Sequence, residues 1–322
     1  MATKYSNVII FGPTGDVGSH AALEASARGA KVWLAMRNTS KAIPGLTSDI
    51  ESAGAFERIQ ADLTDPASIT AAVKRSGAKA AYIYLVHGPG GLSPSLAAMK
   101  DAGVEYVVFL SSFSVPYGAD AAGIRSIPAE RFISKAHADV EIALEDLGLA
   151  HAALRPAYFA SNPFKTLLDK SKVPIEADIR NGDYLVDCIA TDDIGRVGGA
   201  LLVERPTAKE DANGKSVFYL CGPKLMSQDR MLEVIQEVAG VEIKVNHLDQ
   251  NEWTKRAVAK GMPPPVAAYL AKAYEVGFTD DQYNQEMYTQ AVKNVEEVTG
   301  RKPLSFEEFI KLHEKELLAK DA

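Results

Sequence analysis

The sequence predicts an α/β fold, a doubly wound parallel sheet followed by a smaller helix-rich C-terminal lobe. Short apolar runs alternate with helical patterns through the first half, and the links between them are short. After Arg155-Pro156 that rhythm breaks, and helical patterns dominate. Strands and helices alternating on short links imply parallel pairing with right-handed crossovers. At 322 residues, 47% of them hydrophobic, the chain can bury one large core and a smaller appended one.

The elements follow in order. Asn7–Phe11 is a nearly unbroken apolar run, as a strand buried on both faces requires. Gly18–Arg28 is Ala-rich and helical, and Lys31–Met36, Phe56–Ala61, Ala80–Val86 and Val104–Leu110 read as the next strands. Asp65-Pro66 and Ser93-Pro94 look like helix starts, each an N-cap followed by proline in the first turn. A helix is expected from Pro128 to Leu147, with a strand at His151–Leu154. Beyond it lie short strands near Tyr184–Ala190 and Val217–Leu220. Helices are expected at Gln228–Ala239, Asn251–Gly261, Pro265–Val276, Asn284–Val298 and Ser305–Leu318, with Pro263-Pro264-Pro265 as a break.

Composition narrows the function classes. A formal net charge of −7 opposes a broad phosphate-backbone footprint, so no direct nucleic-acid partner is expected. No apolar run nears membrane-spanning length, and the first residues lack the pattern of a secretory signal. Cys188 and Cys221 are the only cysteines and lie far apart, so neither a metal site nor a disulfide framework is expected. Cytoplasm is the default compartment.

Phe11-Gly12-Pro13-Thr14-Gly15-Asp16-Val17-Gly18 joins the first strand to the first helix. Gly12 would permit the tight turn, Gly15 close approach of backbone to a pyrophosphate, and Gly18 close helix–strand contact. The helix start would then face the phosphates with backbone N–H groups and a positive dipole end. At the end of the second strand, where an NAD site usually carries an acid, stands Arg37, with Lys41 nearby. An arginine there forks onto a 2′-phosphate and stacks on adenine; the plain alternative is a solvated surface cation. NADP(H) is therefore favoured. The reading is a Rossmann-type NADP(H)-binding domain over 1–155 and a smaller substrate-binding lobe over 156–322. Residues 185–204 are the part able to pack back on the first domain.

These residues resemble the atypical short-chain dehydrogenase/reductases of the NmrA-like family, which includes isoflavone and phenylcoumaran benzylic ether reductases, quinone reductases and redox-sensing regulators. The resemblance rests on the glycine loop, Arg37, Asp62-Leu63, Ser111-Ser112, His137–Glu141 and Leu154-Arg155-Pro156 with Phe159 and Asn162. Thr191-Asp192-Asp193-Ile194 and Leu220-Cys221-Gly222-Pro223 match in placement. It implies that Asp62-Leu63 lie near the adenine, that Val86-His87 follow the dinucleotide, and that Pro156, Tyr158 and Phe159 border the nicotinamide. Ordinary roles stand beside these: Asp62 capping a turn, Ser111 satisfying a strand end, Asp193 holding a helix start.

No tyrosine has a lysine four residues later, so the usual Tyr-x-x-x-Lys acid of short-chain dehydrogenases is missing. On the helix around residue 133, Ile133, Ala136, Val140, Leu144 and Leu147 form the expected buried stripe. His137 then lies about 40° from Ile133, at the stripe's edge, and Lys135 about 200° away, toward solvent. The resemblance puts His137 where reductases of the family carry a catalytic lysine and quinone-reductase-like members a histidine. His137 is thus the candidate acid, or a residue that only hydrogen-bonds cofactor ribose. Tyr117 is the reserve candidate. His87, at the C-terminal sheet edge, is expected beside the cofactor. His20, His151, His247 and His313 show no constellation. Trp253, Met262, Tyr269, Tyr274, Phe278 and Tyr283 divide between core and an apolar substrate pocket. The expected function is an NADPH-dependent reductase of a small apolar conjugated substrate (an enone, quinone, imine or carbonyl). The alternatives are a non-catalytic NADP(H)-binding redox sensor and a redox-neutral isomerase. A monomer or homodimer is expected.

Overall fold

A computed structural model of the chain describes residues 3–86, 91–119, 121–276 and 283–319. The fold divides into two compact units. One comprises residues 1–157, 191–220 and 293–302, the other 158–190, 221–292 and 303–322. The sequence suggests one boundary near residue 155; the chain passes between the units several times.

The first unit is built on seven strands: β1 (Asn7–Phe11), β2 (Lys31–Met36), β3 (Phe56–Gln60), β4 (Ala80–Tyr84), β5 (Tyr106–Leu110), β6 (Ala150–Pro156) and β7 (Lys215–Leu220). They form one sheet in the order β7-β6-β5-β4-β1-β2-β3, with every pair parallel. This is a Rossmann-type doubly wound sheet, and the strand order reverses between β1 and β4. In open sheets of this kind ligands bind outside the C-terminal strand ends at that point. Ile9, Ile10, Phe11, Leu34, Val107, Val108 and Phe109 are almost wholly buried, which explains the unbroken apolar runs of the central strands. β3, at one edge, is only partly covered and alternates.

The expected cap at Asp65 is present: its side chain accepts the Ala67 N–H, with Pro66 in the first turn. Ser93 differs. It is the first residue of the helix Ser93–Ala102, Leu92 takes the cap position, and no side chain caps that end. Ser95, the third residue of the helix, instead donates its hydroxyl to the Leu63 carbonyl at 2.6 Å.

Lys215–Leu220 lies within the second half of the sequence yet forms the β7 edge beside β6. Helix Thr191–Val203 also belongs to the first unit, against helix Asp16–Ala27. Glycine makes that approach possible: a Cβ on Gly195 would stand 2.6 Å from the Val17 carbonyl oxygen, and one on Gly199 2.4 Å from that of Ala21.

In the second unit, Tyr184–Ala190 yields only the two-residue strand Leu185–Val186, paired antiparallel with Met226–Ser227. The chain then turns at Cys188, which takes a left-handed conformation (φ 47°) uncommon for a residue with a side chain. A three-stranded sheet of Ile243–His247, Ile175–Ile179 and Leu168–Asp169 was not anticipated. Its strands interleave Glu176, Asp178, Lys244 and Asn246 with apolar residues, so no continuous apolar signal marks them. Among the described residues, no helix is long and apolar enough to cross a membrane.

Candidate functional site

The loop after β1 has the geometry of a phosphate cradle. Gly12 sits at φ +71°, and a Cβ there would lie 2.4 Å from the Tyr84 ring. A Cβ on Gly18 would lie 2.3 Å from the Gly12 carbonyl oxygen. Both glycines are therefore required by the chain itself. Gly15 is different: its added Cβ would meet only Gly12 O, at 3.6 Å, and the residue is exposed. Gly15 is the N-cap of helix Asp16–Ala27, and no side chain caps that helix. A small residue that packing does not demand, at a helix start lacking a side-chain cap, fits a pyrophosphate approaching backbone N–H groups. Pro13 and Val17 are buried and Thr14 and Asp16 half-buried around it.

Arg37 follows β2 directly and is exposed. Its loop is held in shape. Asn38 Oδ1 accepts from Ser40 N at 3.0 Å and from Ser40 Oγ at 2.7 Å. Arg58, on β3, donates Nη1 to the carbonyls of Thr39 (2.7 Å) and Lys41 (2.8 Å). Its Nε and Nη2 grip Glu51 at 2.6 and 2.8 Å. Arg58 was missed in the sequence; the available signal was an outward-facing cation on the strand paired with β2. Asp62 Oδ1 accepts from Thr64 N and Oγ1 at 2.9 and 2.8 Å, so it does cap a turn. The Thr64 backbone and hydroxyl bonds hold its carboxyl below the usual range, with a smaller contribution from the Arg37 charge. Leu63 is 4% exposed, in the core. Val86 is half-buried; His87 lies outside the described residues.

In the half of the sheet formed by β5, β6 and β7, a buried polar network centres on Glu141 of the helix Phe132–Asp146. Glu141 is fully buried and accepts from Ser111 Oγ (2.6 Å), Arg155 Nε (3.1 Å) and Arg155 Nη2 (2.6 Å), with Lys215 Nζ at 3.3 Å. Burial would raise its carboxyl, but the Arg155 charge and hydrogen bonds, then Lys215 and Ser111, bring it down to about 2. Arg155 Nη1 donates to Tyr219 Oη at 2.6 Å, and Tyr219 Oη donates to the Val115 carbonyl at 2.9 Å. The network thereby ties down the loop bearing Tyr117, whose ring meets Tyr219 edge-on at 5.4 Å and is half exposed. Pro156 is buried, and its carbonyl accepts from Phe113 N in the same loop.

Helix Phe132–Asp146 is rotated from its expected pose. Its buried residues are Ser134, Ala138, Val140, Glu141 and Leu144, while Ile133, Ala136 and Leu147 are half-buried. That face lies about 80° round from the apolar stripe. Glu141, drawn inward by Arg155, is the physical reason. His137 consequently lies within the buried face, not at its edge, with its ring 6.0 Å from Phe109. Lys135 pairs with Asp139 at 2.7 Å.

The second unit has its own polar centre, which the sequence did not reveal. Asp187, 1% exposed, accepts from Tyr158 N (2.8 Å), Gly222 N (2.7 Å) and Tyr283 Oη (2.9 Å). A Cβ on Gly222 would lie 2.0 Å from the Asp187 carbonyl oxygen. Burial pushes the Asp187 carboxyl up to about 6, against the lowering pull of these donors. Phe159 is fixed beside it by a bridge to Ile189. Trp253 and Tyr184 both meet Tyr274 edge-on, at 5.6 and 5.0 Å, which places these rings in packing. Phe278 lies outside the described residues.

A family profile described as NAD(P)H-binding matches residues 12–187. The chain is 41% identical over 315 residues, 95% of its length and 96% of the relative's, to the nitrogen metabolite regulation-like protein bik4 of Gibberella fujikuroi. The chain belongs to the NmrA-like NAD(P)H-binding family. This NmrA-like protein is also 28% identical over 239 residues to festuclavine dehydrogenase easG of Aspergillus fumigatus, covering 70% of this chain and 72% of that one. Its fold is shared with the NADPH-dependent quinone oxidoreductase QOR2 of Escherichia coli, solved with NADPH. The TM-score is 0.66 at 18% identity, over 95% of this chain and 99% of that one. The family is of oxidoreductase type, and a nicotinamide cofactor is its common ligand.

Proposed function

We propose that this NmrA-like protein is an NADPH-dependent reductase acting on a small, largely apolar conjugated substrate: an enone, quinone, imine or carbonyl. The observation that carries the reading is the pairing of the Gly12–Gly18 cradle with an Arg37 loop held in place by Arg58. The phosphates would rest on N–H groups of Gly15 and the first helical turn, with Arg37 and Lys41 on the 2′-phosphate. Asp62, Val86, His87, Ser111, Pro156, Tyr158 and Phe159 are proposed to line the rest of the dinucleotide's path. When bound, NADPH supplies the hydride. His137 would hold or deliver the proton that balances the developing anion, as an imidazole suits; Tyr117 is the reserve donor. The C-terminal lobe is proposed to bind the substrate. The names of the clavine dehydrogenase and quinone oxidoreductase relatives support this class.

The second reading, a non-catalytic NADP(H) sensor, is favoured by the relative named for nitrogen metabolite regulation. Nicotinamide absorbance, followed against a panel of quinones, enones and cyclic imines, separates the two. Turnover supports the reductase; no turnover with unequal affinity for NADP⁺ and NADPH supports the sensor. Arg37→Ala is expected to cut the preference for NADPH over NADH by about ten- to a hundredfold. An unchanged preference removes Arg37 from the site. Full turnover in His137→Ala removes that residue from the chemistry.

A further inference from the structure

Strands β6 and β7 end side by side, with Ala157 N donating to the Leu220 carbonyl at 3.0 Å. Ligands of open sheets bind beyond such C-terminal strand ends. The chain leaving both strands is fastened to one side chain. Asp187 Oδ1 takes the N–H of Tyr158, two residues past β6, and Oδ2 that of Gly222, two residues past β7. The hold continues along the backbone. Ile189 N donates to the Tyr158 carbonyl at 2.9 Å, and Ala160 N to the Ile189 carbonyl at 2.8 Å. Tyr158 and Phe159 are thereby laid against residues 187–189. Cys188, in the middle of that stretch, keeps φ at 47°, a conformation that clusters at functional sites and needs its surroundings to hold it.

Among the described residues Asp187 meets no countercharge; its donors at Tyr158, Gly222 and Tyr283 are neutral. The other ionisable groups facing it are the phenols of Tyr158, Tyr184, Tyr283 and Tyr288 and the thiols of Cys188 and Cys221, while Glu307 bears on Cys188. Burial pushes every one of those phenols and thiols up, away from neutral pH. The Asp187 carboxyl, raised by its own burial to about 6, is the group of this centre that changes charge near neutrality. A carboxylate accepts a hydrogen bond roughly twice as strongly as a neutral group. Its charge therefore tightens the hold on Tyr158 and Gly222.

We propose that Asp187 is a positioning residue for hydride transfer: ionised, it fixes Tyr158 and Phe159 beside the nicotinamide, and protonated, it lets them shift. The proposal rests on the reductase reading.

Its test is kcat and the KM for NADPH, measured between about pH 5 and 8 with the most rapidly reduced acceptor of the panel. In the natural protein kcat should rise about three- to tenfold with pH through about 6, with KM nearly constant. A proton delivered by His137 gives the opposite slope, falling as the pH rises. Asp187→Asn keeps an acceptor for Tyr158 but carries no charge, and should hold kcat at its low-pH level throughout. Tyr283→Phe removes a donor that lowers the Asp187 carboxyl, so the same rise should move to higher pH. A merely structural contact would not move that midpoint. Tyr283 is only half-buried, so this variant carries the test if Asp187→Asn fails to fold. The emission of bound NADPH over the same pH range needs no turnover; it should change with the same midpoint, and Asp187→Asn should abolish the change. If no acceptor is reduced, the reductase reading fails, and the emission alone decides whether Asp187 acts on the nicotinamide. A flat pH response in the natural protein, a response that persists in Asp187→Asn, or a midpoint unmoved by Tyr283→Phe would each overturn the proposal.

Discussion

Two buried carboxylates, one in each unit, are solvated in opposite ways. Glu141 meets a guanidinium and an ammonium; Asp187 meets two backbone N–H groups and a phenol. Both are almost inaccessible and both accept three or more polar contacts, yet one carboxyl is lowered to about 2 and the other raised to about 6. Hydrogen-bond count is therefore not what separates them. Countercharge offsets the loss of water around an anion, whereas neutral dipoles at these distances offset only part of it. Each acid still performs the same mechanical task. Glu141, through Arg155 and Tyr219, fixes the Val115–Tyr117 loop, and Asp187 joins the segments at Tyr158, Gly222 and Tyr283.

The contrast breaks most visibly at Arg155. Arg155→Met leaves Lys215 as the countercharge of the buried Glu141 and should cost about 3 kcal/mol in urea unfolding. Adding Glu141→Leu should recover much of that loss, and a double variant as unstable as the single one would contradict the pairing. Asp187→Asn should cost less, about 1 kcal/mol, because one backbone N–H loses its acceptor but no charge is stranded.

The two acids should also leave opposite marks on stability against pH. Asp187 has a folded pKa above its unfolded value, so its contribution is present at low pH and is lost as the pH rises from about 4 through about 6. Glu141 has a folded pKa below its unfolded value, so its contribution is present above about 4.5 and is lost as the pH falls toward about 2. Urea midpoints measured stepwise in pH should show the first limb vanish in Asp187→Asn and the second shrink in Arg155→Met. A limb that survives its own variant assigns the titration to another group. The smallest effect on stability is expected at the half-exposed Arg58–Glu51 pair. Arg58→Met should cost under about 1 kcal/mol. If the proposed reductase activity holds, it should also raise the KM for NADPH severalfold with kcat nearly kept, because the Thr39 and Lys41 carbonyls lose their anchor.

Much of the first unit was legible from residue order. Asn7–Phe11 and Lys31–Met36 have the bounds their apolar runs suggest, and Asp65-Pro66 caps its helix as local chemistry requires. The helix around His137 was legible in extent but not in facing. An apolar stripe ranks residues by their own hydrophobicity, and Glu141 is buried only because Arg155, on the neighbouring strand β6, neutralises it. The sheet of Ile175–Ile179 and Ile243–His247 was hidden for a related reason: its charged positions are satisfied across strands, as where Lys244 meets Glu176 at 3.2 Å.

The sequence alone determined the alternating strand–helix order, the glycine loop, the basic residue after β2 and the missing Tyr-x-x-x-Lys pair, since each depends on neighbours within a few residues. Only the tertiary structure decided that Lys215–Leu220 completes the first sheet, that Arg58 shapes the Arg37 loop, and that Asp187 and Glu141 are buried. Those outcomes rest on partners from 7 to 96 residues away in the chain. A buried polar group acquires its meaning only from the donor or charge that folding brings to it.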